Sequence, residues 1–158
     1  MSQTPVVHNT FVLERTYSKP PEAVFTAFSD ANKKRRWFAE GDGHEVEEFS
    51  SDFREGGAER LRYRFKEGTP FPGVILIAEG TYQNIVNASR IVTSSSMSIG
   101  GNCISATLVT IELQQASGGG TKLVCTHQGA YFEGSDGPQM REMGWKKLFD
   151  KLSDALAK

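Results

Sequence analysis

The sequence lacks the long apolar runs and the cysteine pairs that mark several common classes of protein. No window approaches about 18 apolar residues, and no basic segment followed by an apolar run opens the chain, so we expect neither a membrane span nor a signal peptide. Only two cysteines occur, Cys103 and Cys125. We interpret both as buried core thiols of a cytoplasmic protein, with a disulfide between neighbouring strands as the alternative.

Excess charge of one sign and clustered histidines are also absent. The net charge is -1, which argues against nucleic acid or an acidic membrane surface as a partner held by bulk electrostatics. The three histidines, His8, His44 and His127, are far apart, with no i, i+4 pair, so we expect no metal site. Phosphate-loop, dinucleotide and nucleophile-elbow motifs are missing, and we therefore predict no cofactor.

What the sequence does contain is an amphipathic segment at its C-terminal end. Apolar residues recur there at the three- and four-residue spacing of one helix face. This face consists of Trp145, Leu148, Phe149, Leu152, Ala155 and Leu156. We predict a helix over residues 138–157, with Asp136 as its N-cap and Pro138 in its first turn. Such a helix is about 30 Å long at 1.5 Å per residue, so a concave partner surface is needed to receive it.

Upstream of this helix, alternating apolar and polar residues predict seven strands. The predicted strands cover residues 10–17, 45–53, 59–65, 74–86, 90–97, 104–114 and 121–128, and two short helices cover 22–28 and 31–37. One helix can cover one face of such a sheet only if the sheet curves around it. We therefore predict an α+β helix-grip fold, with one domain over residues 10–158, a flexible N-terminus over 1–9, and room for an apolar cavity between sheet and helix.

A series of short motifs supports this fold independently. They are Lys19-Pro20-Pro21-Glu22-Ala23-Val24-Phe25, Asp30, Arg36-Trp37-Phe38, Asp52-x-Arg54-x-Gly56-Gly57, Gly80-x-Tyr82, Arg90-Ile91-x-Thr93, Gly119-Gly120-Thr121-x-Leu123, Thr126-His127 and Gly144-Trp145. Because these motifs occur in this order, the chain resembles the AHSA1-like (Activator of Hsp90 ATPase homologue 1-like) branch of the START/SRPBCC (Bet v 1-like) superfamily. The resemblance implies a helix-grip fold with a cavity. It leaves function open, because this fold serves lipid carriers, hormone receptors, cyclases and co-chaperones.

The candidate ligand-binding residues are aromatic side chains on elements that we expect to face one another, together with two polar side chains. They are Trp37, Phe38, Tyr63, Phe65, Phe71, Tyr82, His127, Arg141, Trp145 and Phe149. For Trp37 and Phe38 the alternative is a plain core or lid position. For Trp145 and Phe149 we favour core packing, with lining of the cavity as its extension.

The two polar candidates, Arg141 and His127, each have two interpretations. Arg141 falls in the centre of the apolar stripe, where we favour a stem lying on apolar surface with its guanidinium in solvent; the alternative is a clamp for a ligand carboxylate or phenolate. His127 is interpreted as a buried neutral imidazole, with a ligand contact or a general base as alternatives.

The expected function is the binding of a hydrophobic or amphipathic small molecule by a cytoplasmic monomer or homodimer. One alternative, implied by the resemblance, is an Hsp90-type co-chaperone or protein-interaction domain with a role in stress response. Another is a cyclase- or hydrolase-like enzyme that uses the same cavity. The enzyme alternative lacks a convergent acid–base pair in the sequence, so we name no catalytic residue.

Overall fold

The computed structural model describes residues 5–157, which form one antiparallel sheet of seven strands and three α-helices. The strands are β1 Val7–Tyr17, β2 His44–Ser51, β3 Ala58–Phe65, β4 Ile75–Val86, β5 Arg90–Ile99, β6 Asn102–Gln115 and β7 Thr121–Tyr131. The helices are α1 Pro21–Ser29, α2 Ala31–Lys34 and α3 Pro138–Leu156, with a π-helical segment at Arg35–Ala39 and a 3-10 turn at Ser117–Gly119. The predicted α+β helix-grip fold is confirmed.

The strand order across the sheet is β1-β7-β6-β5-β4-β3-β2. From β2 to β7 the chain is a meander in which each strand pairs antiparallel with the next. The first strand returns to pair with the last, which puts β1 and β2 at opposite edges. The segment that contains α1, α2 and the π-helical turn therefore links one edge of the sheet to the other.

The first strand begins earlier than predicted. Val7 pairs with Tyr131, and Asn9 pairs with Gly129, so the predicted start at residue 10 is wrong. The same pairing extends β7 three residues beyond its predicted end. Of the N-terminus predicted to be flexible, residues 1–4 lie outside the described part of the chain, while 7–9 belong to β1.

The long helix begins as predicted, but its first turn is arranged differently. Its N-cap is Gly137, whose positive φ of 84° suits a residue without a Cβ, and no side chain of residues 5–157 caps the helix. The prediction of Asp136 as the N-cap is wrong, because this carboxylate accepts hydrogen bonds from Arg141 instead. Phe149 and Leu152 are fully buried, as expected for the apolar face.

The second short helix changes character before the end predicted for it. It is α-helical only to Lys34 and then widens into the π-helical turn, in which the Glu40 N–H donates to the Arg35 carbonyl at 2.9 Å. A π turn inserts an extra residue and thereby rotates the side chains that follow. Trp37 and Phe38 are consecutive residues on this turn. Trp37 belongs to the hydrophobic core, and the partly buried Phe38 packs against that core.

Gly80 does not lie at the bulge of β4. It pairs regularly with Ser95, and the register shift of β4 lies later, between Tyr82 and Asn84. A Cβ at Gly80 would lie 2.8 Å from the carbonyl oxygen of Ser94 and 2.9 Å from the Cβ of Ser95. Glycine is required here by the close approach of two strands.

The two cysteines differ in burial. Cys125 is fully buried on β7, as predicted, whereas Cys103 is exposed near the start of β6, so its assignment to the core is wrong. Both thiols are free. In the described residues, no helix has both the length and the apolar character needed to cross a bilayer.

The buried face of α3 should dominate the stability of the fold. We expect Leu152→Ala to lower the free energy of unfolding by about 2–5 kcal/mol, since Leu152 is fully buried and its loss leaves a cavity. Met143→Ala is the matched control, because Met143 lies on the same helix with 54% of its surface exposed; its effect should stay within about 0.5 kcal/mol. Equal losses in urea unfolding would contradict the assigned face.

Candidate functional site

A cavity of about 60 Å³ lies between the sheet and the helical layer. It has space for a few water molecules, well below the roughly 300 Å³ of a small-ligand pocket. Eight lining residues come from the central strands: Ala78, Glu79, Gly80, Ile91, Thr93, Ser95, Val109 and Ile111. The opposite wall is formed by Phe28, Lys34, Trp37, Phe38 and Trp145, and Glu59 of β3 closes one side.

Small side chains on β4 and β5 create this space. Gly80 is paired with Ser95, and Ala78 lies two residues earlier on the same face. Because none of the three carries a large side chain, the middle of the sheet stays recessed beneath the aromatic wall. The cavity is therefore a consequence of residue size at three adjacent positions.

The aromatic wall combines two buried side chains, Phe28 and Trp37, with two that are less enclosed. Trp37 is 1% exposed, and its Nε1 donates to the carbonyl of Ala27 at 2.9 Å. Phe38 contacts both Trp37 and Trp145, with ring centroids 5.7 and 6.2 Å away. Since Phe38 and Trp145 are only partly buried, they are the members of this wall with most freedom to move outward.

A buried ion pair forms the polar end of the cavity. Lys34 Nζ lies 2.6 Å from Glu59 Oε2, and both side chains are about nine-tenths buried. The Tyr82 hydroxyl donates to the same Oε2 at 2.5 Å and lies 2.6 Å from Ser51 Oγ. The Lys34 ammonium also lies 4.5 Å from the centroid of the Phe38 ring, a cation–π distance. The positive charge of Lys34 balances the negative charge of Glu59. The Glu59 carboxylate is held by two hydrogen-bond donors, Lys34 and Tyr82.

Burial and the neighbouring Glu59 carboxylate raise the pKa of Tyr82. Both effects disfavour the phenolate, so the hydroxyl keeps its proton and remains a donor. The network therefore contains a neutral tyrosine whose hydroxyl donates to a paired carboxylate.

Lys34 and Glu59 were not among the residues predicted from the sequence. The alternation of β3 carried a signal for Glu59, because it is in phase with Leu61 and Tyr63 on the inward face. Lys34 precedes Trp37 by three residues, which places both on one side of a helical turn. A charged residue that alternates in phase with buried apolar residues indicates a buried ion pair. The predictions above did not use this signal.

His127 is the buried neutral imidazole that was favoured. It is 1% exposed and stacks on Phe11, with ring centroids 4.5 Å apart and planes inclined by 8°. Trp145 contacts it edge-on at 6.0 Å. Burial, and secondarily the positive charge of Arg141, lower the pKa of His127 to about 4. Within the part of the chain that the structure describes, its Nδ1 and the hydroxyl of Tyr131 are buried without a hydrogen-bond partner.

Arg141 is buried, so the prediction that its guanidinium lies in solvent is wrong. Its Nε and Nη2 each donate to Asp136 at 2.8 Å, and Nη2 also donates to Ser105 Oγ at 3.0 Å. Burial alone would raise the pKa of Asp136, but the guanidinium holds that pKa below its ordinary value. Arg141 thus already has a carboxylate partner within the chain.

The remaining predicted residues lie away from the cavity. Tyr63 stacks on His44 with centroids 3.8 Å apart, and burial raises the pKa of Tyr63 to about 12. Phe65 contacts both Tyr63 and Phe71, and Phe71 is 54% exposed on the loop before β4. Phe149 belongs to the closed core.

Of the ten predicted residues, therefore, the structure brings only three to the cavity wall, namely Trp37, Phe38 and Trp145. Tyr82 lies behind Glu59, and His127 lies behind Trp145. A role in ligand contact remains a prediction for all ten residues.

Comparisons with known proteins identify relatives over almost the whole chain. The family model described as Activator of Hsp90 ATPase homolog 1-like protein matches residues 18–157. An uncharacterised protein from Rhizobium leguminosarum is 32% identical, with a TM-score of 0.88 over 97% of each chain. The Mll3558 protein from Rhizobium loti is 43% identical, with a TM-score of 0.84 over 96% of this chain and 99% of its own.

A more distant structure has the same fold. The AHSA1-like protein from Aeromonas hydrophila is 20% identical, with a TM-score of 0.68 over 94% of this chain and 92% of its own. A comparison with curated proteins found no match.

Acidification should destabilise the protein through His127. Its imidazole stays neutral in the folded state down to about pH 4, whereas in the unfolded chain it takes up a proton near pH 6.5. Between these values the unfolded state binds more protons, so stability falls as the pH is lowered from about 6.5 to 4. The loss amounts to at most about 3 kcal/mol at 1.36 kcal/mol per pKa unit.

His127→Phe isolates this contribution, because phenylalanine keeps the stacked ring but cannot titrate. Urea unfolding at about pH 7 and about pH 5 should show a smaller loss for this variant than for the wild type. His8→Gln on the exposed part of β1 is the control and should keep the wild-type loss. The same pH dependence in His127→Phe and the wild type would refute the assignment.

Proposed function

The chain belongs to the Activator of Hsp90 ATPase homologue 1-like family, and on this basis we propose that it binds a hydrophobic or amphipathic small molecule in the cytoplasm. The ligand lies between the sheet and α3. The observation that carries the proposal is the cavity itself, which has an aromatic wall opposite a recessed floor of small side chains. Ligand pockets are typically apolar and aromatic with a few placed polar groups, and the Lys34–Glu59 pair supplies the polar end.

Binding requires the cavity to open. At about 60 Å³ it is too small for a ring system, so lining side chains move when a ligand enters. Phe38 and Trp145 are the side chains that move, because both are partly exposed and lose less burial on rotating outward than Trp37 does. We assign these two residues as the gate of the cavity.

The protein-interaction alternative draws support from a different surface. Met140 and Met143 lie near the start of α3 with 62% and 54% of their surfaces exposed, and exposed methionines suit adaptable protein contacts. A chaperone partner would use such a patch and would not need the cavity. Absence of ligand binding, together with capture of Hsp90 that is lost in a Met140→Ala/Met143→Ala variant, would favour this alternative.

Filling the cavity should abolish ligand binding. Thr93 of β5 lines the cavity, and Thr93→Phe places a ring in that space. In a thermal-shift screen, a ligand at 100 times its dissociation constant should stabilise the wild type by about 2.7 kcal/mol, a shift of several degrees. The variant should show no such shift with the same ligand.

Val92→Phe is the matched control, because successive residues of a strand point to opposite faces. Val92 lies outside the cavity, and its replacement by phenylalanine adds the same ring to the other side of β5. The control should keep the wild-type shift. Equal ligand shifts in both variants would place the ligand elsewhere and contradict the proposal.

A further inference from the structure

The charge balance around the cavity bears on the kind of ligand it takes. Resting on the ligand-binding function proposed above, we infer that the cavity selects an uncharged ligand whose polar group both donates and accepts hydrogen bonds, and that it excludes carboxylates. A hydroxyl or a carboxamide is such a group.

Lys34 and Glu59 line the cavity and neutralise one another. Their charged atoms are 2.6 Å apart, and their side chains are only 8% and 10% exposed. A pair so enclosed contributes no net charge to the space beside it. A ligand carboxylate that approached Lys34 would also approach Glu59, and two carboxylates sharing one ammonium leave a buried negative charge without a partner.

The same pair still offers hydrogen bonds. Lys34 and Tyr82 both donate to Oε2 of Glu59, and in the described part of the chain this leaves Oε1 to accept a bond from a ligand. The Lys34 ammonium has three N–H groups, of which Glu59 takes one. One acceptor and spare donors therefore lie side by side, and a single hydroxyl can satisfy both.

Arg141 and His127, the other buried basic side chains of the described residues, supply no free positive charge. Arg141 is held by two bonds to Asp136 and one to Ser105. His127 is buried against Phe11 and is uncharged at neutral pH. Arg141 is therefore not available to bind a ligand carboxylate, because its guanidinium already binds the carboxylate of Asp136.

The experiment compares ligands that differ in charge and little else. We would measure the dissociation constants of 2-naphthol and 2-naphthoate, and of 1-octanol and octanoate, by calorimetry at about pH 7, where both carboxylates are ionised. The wild type should bind the neutral member of at least one pair about tenfold or more tightly than its anion. Equal or tighter binding of both anions would overturn the inference and leave the proposed function standing.

A charge change in the ion pair should reverse this preference. Glu59→Gln keeps the shape of the side chain but leaves Lys34 unmatched, so a ligand carboxylate then supplies the missing charge. We expect the ratio of the anion's to the alcohol's dissociation constant to fall about tenfold or more. The double variant Lys34→Gln/Glu59→Gln, which is again neutral, should return to the wild-type preference.

Glu14→Gln is the control, because it removes the same charge from an exposed pair with Lys122. It should leave the ratio unchanged. An unchanged ratio in a folded Glu59→Gln protein would overturn the inference. If that variant does not fold, the neutral double variant and the wild-type comparison decide the outcome. Absence of binding by all four compounds would overturn the proposed function and the inference with it.

Discussion

One long helix has to cover one face of a seven-stranded sheet, and the rest of the structure follows from this constraint. Seven strands about 4.8 Å apart make a flat sheet about 29 Å wide, whereas a helix with its side chains is about 10–12 Å across. The sheet must therefore curl around α3, and other groups must cover what α3 leaves open. The π-helical turn and α1, which both contact α3, provide that cover with aromatic side chains. The cavity lies where this cover meets the smallest side chains of the sheet.

The architecture was predictable because it depends on periodicity. Seven alternating segments and one amphipathic helix were enough to identify the fold, and the motifs pointed to the same family. The errors came from tertiary contacts that no local pattern contains. Asp136 has the sequence position of an N-cap, yet it pairs with Arg141. The extra residues of β1 are ordered by pairing with the end of β7, which follows them by more than 100 positions.

The site was predictable only in part. Aromatic content marked Trp37, Phe38 and Trp145, and these line the cavity. The same criterion also selected Phe71, which is exposed, because composition does not say which way a loop side chain points. Lys34 and Glu59 were missed, since charged residues are normally assigned to the surface and their pairing joins elements 25 residues apart. A buried pair of this kind adds little to stability for its cost in desolvation.

Whether a ligand enters this space is tested most directly by methyl NMR spectra of the protein, free and saturated with 2-naphthol. Ile91, Val109 and Ile111 line the cavity, whereas Val12 and Leu108 are exposed on the sheet. The account predicts large shifts for the three cavity residues and none for the two exposed ones. Shifts confined to Val12 and Leu108, or no shift at a concentration that calorimetry shows to be saturating, would contradict it.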